Sequence, residues 1–236
     1  MTDLENHTNA DAPLNGELAR RTVVATSAMD WTASPAGNVL RKRVHRVGPA
    51  ESGQVTSLVQ YQPQSQFPRH EHPEGEEILV LEGVFSDEHG DWPAGSYLLN
   101  PEGFAHSPFS NEGCLLFVKL RQYPSTERTQ VQVQTENMTW QATATHGRQQ
   151  KPLYQQPGFT DIMRLERWQD LGAALPLDWE KGVELFVIDG RFSDEYATYD
   201  EGSWLRLPPG SHHTVGSDAA ATVYVKEGGF AYLRAE

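Results

Sequence analysis

The chain has 236 residues, 38% of them hydrophobic, and a net charge of −13, enough for one or two domains with a substantial core. A surface this acidic repels phosphate backbones, which argues against a nucleic-acid partner, and no run of 18 apolar residues offers a membrane span. Cys114 is the single cysteine, which excludes an internal disulfide and any cysteine-based zinc finger. Residues 1–20 are polar and acidic, without the basic and apolar regions of a secretory signal. They are expected to form a mobile tail, and the expected location is the cytoplasm. Short strands follow. Residues 56–61 alternate loosely, 78–81 and 115–118 are apolar runs of buried-strand length, and 131–133 alternate cleanly. Residues 185–188 and 222–225 repeat the apolar runs, and 165–174 have room for one or two helical turns. Twenty glycines and fifteen prolines punctuate these runs, a spacing that favours a sandwich or barrel.

The chain matches itself at an offset of 107. Phe85-Ser86-Asp87-Glu88 falls on Phe192-Ser193-Asp194-Glu195, Gly83 on Gly190, Gly95-Ser96 on Gly202-Ser203, and Pro101 on Pro208. Gly103 falls on Gly210, His106 on His213, and Val118-Lys119 on Val225-Lys226. Arg21-Thr22 and Arg128-Thr129 hold the same offset, while Trp31 and Trp140 correspond if two residues are inserted. A long repeat present twice is a duplicated domain. The predicted units are residues 21–127 and 128–236. Residues 122–129 are short and polar, so the two halves are expected to pack together.

Chemistry concentrates in Arg69-His70-Glu71-His72-Pro73-Glu74-Gly75-Glu76-Glu77. His70 and His72 leave the same face of a strand. Glu76 keeps that parity beyond a tight Pro-Glu-Gly connection, and His106 follows thirty residues later, after Pro101-Glu102-Gly103. Three imidazoles and a carboxylate suit a divalent metal. The stretch from His70 to Val118 also carries ten Asp and Glu and no Lys or Arg. Most of these read as a solvated acidic face, though part of that field would attract a cation. Glu77 has the wrong parity and recurs as Glu184, so it reads as structural. Cys114 reads as a small core residue. His7, His45, His89 and His146 have no partners at ligand spacing and read as solvated.

The strings H-x-H-x3-E-x6-G and G-x5-P-x-G-x2-H resemble the two cupin motifs, and the wording of residues 76–109 resembles the ChrR-like cupin family. The resemblance covers residues 21–234. It implies an all-β fold, a double cupin of two tandem jelly-roll barrels, with one divalent metal per chain (Fe, Zn or Mn) held by His70, His72, Glu76 and His106. The family's namesake is an anti-sigma factor with an N-terminal zinc domain that uses cysteine ligands. Here no cysteine precedes Cys114, so that label finds no support.

At offset 107, His70 becomes Leu177, His72 becomes Trp179 and Glu76 becomes Val183; only His106 keeps a counterpart, His213. The second copy therefore reads as a filled barrel without a metal site. Two functions stay open. One is a metal-dependent, non-haem iron dioxygenase acting on a small diketone or hydroxy-ketone. The other is a non-catalytic sensor of metal or a small ligand. Either has a small-molecule partner, and a homodimer is compatible with both.

Overall fold

The computed structural model describes residues 12–35 and 37–235. Strand makes up 53% and helix 4%. The first large antiparallel sheet runs in the order Val131–Gln134, Ser96–Asn100, Glu76–Asp87, Cys114–Leu120, Gln54–Tyr61, Val39–Val47, Thr32–Ala33. The second runs Thr22–Ala25, Ser203–Leu207, Val183–Ser193, Ala220–Glu227, Ile162–Gln169, Arg148–Tyr154, Gln141–Ala142. A two-stranded ribbon complements each sheet: His70–Glu71 with Ala105–His106 in the first half, Leu175–Trp179 with Ser211–Val215 in the second. Each half is thus a small barrel.

The repeat survives in detail. His106 pairs with His70, and 107 residues on His213 pairs with Leu177. The long strands Glu76–Asp87 and Val183–Ser193 both bulge, between Val80 and Glu82 and between Val187 and Asp189. Gly83 (φ 71°) and Gly190 (φ 74°) follow the bulges. A Cβ there would stand 2.2 Å and 2.0 Å from the carbonyl oxygens of Gly113 and Ala220, so only glycine fits.

The first strand of each repeat crosses to the other half. Thr22–Ala25 pairs with Ser203–Leu207, and Val131–Gln134 pairs with Ser96–Asn100. Val24 faces Trp204 and Val133 faces Tyr97, so the offset here is already 109. The Arg21-Thr22 match to Arg128-Thr129 is therefore coincidental in space: Arg21 binds Asp194, whereas Arg128 binds Asp161.

Three apolar clusters result. Seventeen buried side chains fill the second barrel, including Trp168, Leu177, Trp179 and Val183, whereas nine line the first. The first barrel is accordingly hollow and the second solid. The third cluster joins them, with Phe117 and Phe186 stacked at 4.4 Å.

A polar group lies in the same joint. Glu77 is buried and accepts hydrogen bonds from Tyr97 (2.7 Å), Tyr224 (2.7 Å) and Tyr123. Lys119 pairs with Glu184, and Lys226 donates to Tyr123 and Gln122. Burial, followed by the neighbouring Lys226, pushes the Lys119 ammonium well below its ordinary pKa. Glu77 and Glu184, like Lys119 and Lys226, are repeat equivalents. The charged members of the joint are thus duplicated, whereas the tyrosines are not: Tyr97 and Tyr123 recur as Trp204 and Phe230, and Tyr224 stands where the first copy has Phe117.

The connection between the halves lies within the joint, since Gln122, Tyr123 and Arg128 are buried. Three expectations need correction. Residues 165–174 hold no helix; the strand Ile162–Gln169 occupies the first half of that stretch. The N-terminal segment is pinned from Leu14, which exchanges backbone hydrogen bonds with Arg46, and Arg206 donates to the Asn15 carbonyl. His45 is fully buried against Arg206 rather than solvated. His89 and His146 are exposed, as expected, and His7 lies outside the described residues.

Candidate metal centre

Residues His70 and Glu71 form a short strand against Ala105–His106, which sets His70 beside His106. His72 continues the segment, its N–H bonded to the Phe104 carbonyl at 2.8 Å. The chain then turns through Glu74 (φ 57°) and Gly75 (φ 72°). At Gly75 a Cβ would meet the Asn100 carbonyl oxygen and Tyr123 Cβ at 2.8 Å each, so this corner is glycine-specific. Glu76 opens the next strand opposite Asn100. Strand parity does not run through the turn; the turn itself returns Glu76 to the barrel interior.

The side chains converge. His70, His72 and His106 each offer a ring nitrogen, and these atoms all lie within 4.8 Å of one another. His72 Nε2 and His106 Nε2 are 3.0 Å apart, and Glu76 Oε2 lies 3.6 Å from both. Two nitrogens held at right angles on one ion, with bonds of about 2.1 Å, lie about 3.0 Å apart. The donor set and spacing therefore fit a divalent ion.

Neighbours fix the donors. His106 Nδ1 contacts Asp87 Oδ2 at 2.9 Å, and His70 Nδ1 contacts the Pro68 carbonyl at 2.9 Å. Both contacts leave Nε2 directed inward, the usual support of a ligating histidine. Asn100 Nδ2 donates to Glu76 Oε2 at 3.2 Å. Burial lowers the His72 pKa, which favours the neutral ring a metal needs. At His106 burial acts downward but is outweighed by the bond to Asp87 and the charge of Glu76, so its pKa is raised.

Sequence reasoning missed Asp87 and Asn100. Asp87 left a signal: it recurs as Asp194, as His106 recurs as His213, and the second pair still touches at 3.2 Å.

The group opens onto a cavity of about 380 Å³ inside the first barrel, lined by Tyr61, Phe67, Ile78 and Phe85 among others. In the second barrel the corresponding space is closed. Leu177, Trp179 and Val183 are buried there, and Asp194 is taken by Arg21 and Tyr199. His213 Nε2 is buried with no hydrogen-bond partner among the described residues.

No curated protein matches the chain. Among solved structures, a candidate dioxygenase from Nostoc punctiforme PCC 73102 superposes with a TM-score of 0.71 at 14% identity, covering 88% of this chain and 82% of that one. The bacterial pirin YhhW of Escherichia coli, in complex with nickel(II), gives 0.63 at 15%, covering 88% and 98%. Salicylate 1,2-dioxygenase from Pseudoaminobacter salicylatoxidans gives 0.58 at 12%, covering 89% and 81%. At these identities the likeness is one of fold. The sequence evidence reaches further, because the ChrR Cupin-like domain model matches residues 19–124 and again 128–231. The chain thus belongs to the ChrR cupin-like family, as a tandem double cupin.

Proposed function

We propose that the first barrel binds one divalent metal ion through His70, His72, His106 and Glu76, and that the protein is a metal-dependent dioxygenase for a small diketone or hydroxy-ketone. The observation that carries this reading is the meeting of three imidazoles and a buried carboxylate at the wall of a hollow, largely apolar barrel. A purely structural site would need no such cavity. Solved relatives in fold include a salicylate 1,2-dioxygenase and a nickel-bound pirin, which agrees with metal chemistry in this architecture.

Iron(II), when bound, would supply a redox-active Lewis acid able to engage dioxygen and a substrate oxygen. The chain's own residues do the rest. Asp87 holds the His106 ring so that Nε2 faces inward, and Asn100 holds the Glu76 carboxylate. Tyr61, Phe67 and Phe85 exclude water from the space in front of the donors.

The test is elemental analysis of protein purified without an affinity tag, followed by oxygen-uptake measurements with acetylacetone and hydroxyacetone on iron-loaded protein. One metal per chain and substrate-dependent oxygen consumption are expected. Tightly held zinc, with no oxygen uptake after iron reconstitution, would refute catalysis and favour a sensing module.

A further inference from the structure

The two barrels differ in how they neutralise arginines that face inward. In the second barrel Glu166 is fully buried and takes both Arg148 (2.6 and 2.7 Å) and Arg164 (2.6 Å), with Trp168 Nε1 donating at 2.7 Å. The repeat equivalent of Glu166 is Val59. The register agrees, because Leu116 faces Val59 and, 107 residues on, Val223 faces Glu166. Val59 lines the hollow of the first barrel, and so do Arg41 and Arg43 on the adjacent strand. The first barrel therefore has guanidiniums along its inner wall, at positions whose register counterparts are Gln150 and Pro152 rather than Arg148 and Arg164, and Val59 offers no buried carboxylate to close on them.

Their only carboxylate partner among the described residues is Glu51, in the turn after that strand, at 2.7 Å from Arg41 and 2.9 Å from Arg43. Its side chain is 49% exposed, whereas those of Arg41 and Arg43 are 21% and 19% exposed. One half-exposed carboxylate balances two sheltered cations. Arg121 also lines the cavity, and among the described residues it has no carboxylate partner. Three guanidiniums in one cavity stand out in a chain of net charge −13, with Glu71 and Glu76 the other charged residues of the lining besides Glu51.

We propose that the first barrel selects a substrate bearing a carboxylate, which Arg41 and Arg43 bind in the place that Glu166 takes in the second barrel, with Glu51 as the counter-ion it displaces. The metal donors would meet the opposite end of the molecule. A guanidinium pair offers a carboxylate several charge-assisted hydrogen bonds in fixed geometry. The apolar lining between the two ends suits a short aliphatic or aromatic body, and the cavity volume sits at the small end of ligand sites. This inference rests on the metal-dependent reading above and adds the substrate class to it.

The experiment uses succinylacetone, a β-diketone with a propionate tail, and its methyl ester, in which only the charge is lost. Each is titrated into cobalt(II)-loaded full-length protein, followed by calorimetry and by the visible bands of the metal. Cobalt allows binding to be read without turnover. The acid should bind at least tenfold more tightly than the ester. In the Arg41→Met/Arg43→Met double variant the ratio should fall to about one, with the ester's own affinity little changed. Because that variant alters the barrel wall, Glu51→Gln on the exposed turn gives a second reading: freeing the arginines should raise the acid-to-ester ratio severalfold. Equal affinities in the wild type, no binding of the acid, or a ratio unmoved by all three substitutions would overturn the proposal. Absence of oxygen uptake with both compounds alongside a tenfold binding ratio would instead refute catalysis and leave the carboxylate specificity standing.

Discussion

Replacing Glu77 by alanine should destabilise the protein by about 4–6 kcal/mol and leave the metal site filled, whereas replacing its neighbour Glu76 should do nearly the reverse. Adjacent residues on a strand face opposite ways. Glu76 turns into the first barrel, and Glu77 turns into the joint between barrels. There it is the acceptor for the hydroxyls of Tyr97, Tyr123 and Tyr224, all essentially inaccessible to solvent. Removing it strands three buried donors at about 1–3 kcal/mol each, and no water reaches them easily. The relief of no longer burying a carboxylate offsets part of that sum. A loss of this size is a large share of the 5–15 kcal/mol typical of a domain. Glu77→Gln keeps one acceptor oxygen and should lose about half as much. Glu76 has a single hydrogen-bonded partner, Asn100, so Glu76→Ala should cost roughly 1 kcal/mol in metal-free protein. Guanidinium unfolding of metal-stripped samples gives the stabilities, since bound metal would stabilise the native state by mass action. Elemental analysis of reloaded samples gives the metal content. Wild-type stability in Glu77→Ala, or full metal in Glu76→Ala, would show that the two carboxylates have been assigned to the wrong faces.

Other expectations follow from the same geometry. His106→Ala should lower metal affinity by orders of magnitude while His213→Ala leaves it unchanged, read by dialysis against a competing chelator; the two sites are repeat equivalents, so local fold damage is matched. Trp179→Ala should cost about 3–5 kcal/mol in the solid second barrel, measured by denaturant unfolding, with metal content unaffected. His45 is held at about 4, first by burial and then by the Arg206 guanidinium, against an ordinary 6.5. Its neutral form is the folded one, so its contribution is complete above pH 6.5 and is lost as pH falls towards 4. The loss is up to about 3 kcal/mol, and His45→Gln should flatten that slope in unfolding experiments at pH 4.5 and 7. Cys114, buried with its thiol pushed up to about 11, should react with iodoacetamide only after unfolding.

The duplication was legible because a spacing of 107 aligns turns, bulges and even cross-strand pairs: Leu177 opposite His213 repeats His70 opposite His106. The histidines and Glu76 were findable for a different reason, their local spacing within the first copy, since only His106 recurs in the second. What escaped was contact between distant segments. Nothing in Thr22–Ala25 states which sheet it will join, because four extended residues pair equally well with any open edge. His45 read as solvated because its partners, Asn15 and Arg206, are 30 and 161 residues away. The strand Ile162–Gln169 was partly misread as helical because both its faces are buried and one carries Glu166, so simple alternation is lost.

The crossing of first strands also constrains the order in which the sheets can be completed. As the chain leaves the ribosome, Thr22–Ala25 emerges well before its partner, Ser203–Leu207, and until then lacks its native neighbour strand. The first sheet in turn keeps Ser96–Asn100 as an open edge until Val131–Gln134 arrives from the next repeat. Neither half can reach its finished form alone, so a nascent chain truncated at residue 127 would present an unpaired strand and an unpaired edge together, the two ingredients of intermolecular strand addition. The two barrels of the duplicated chain therefore complete each other's sheets and mature as one object.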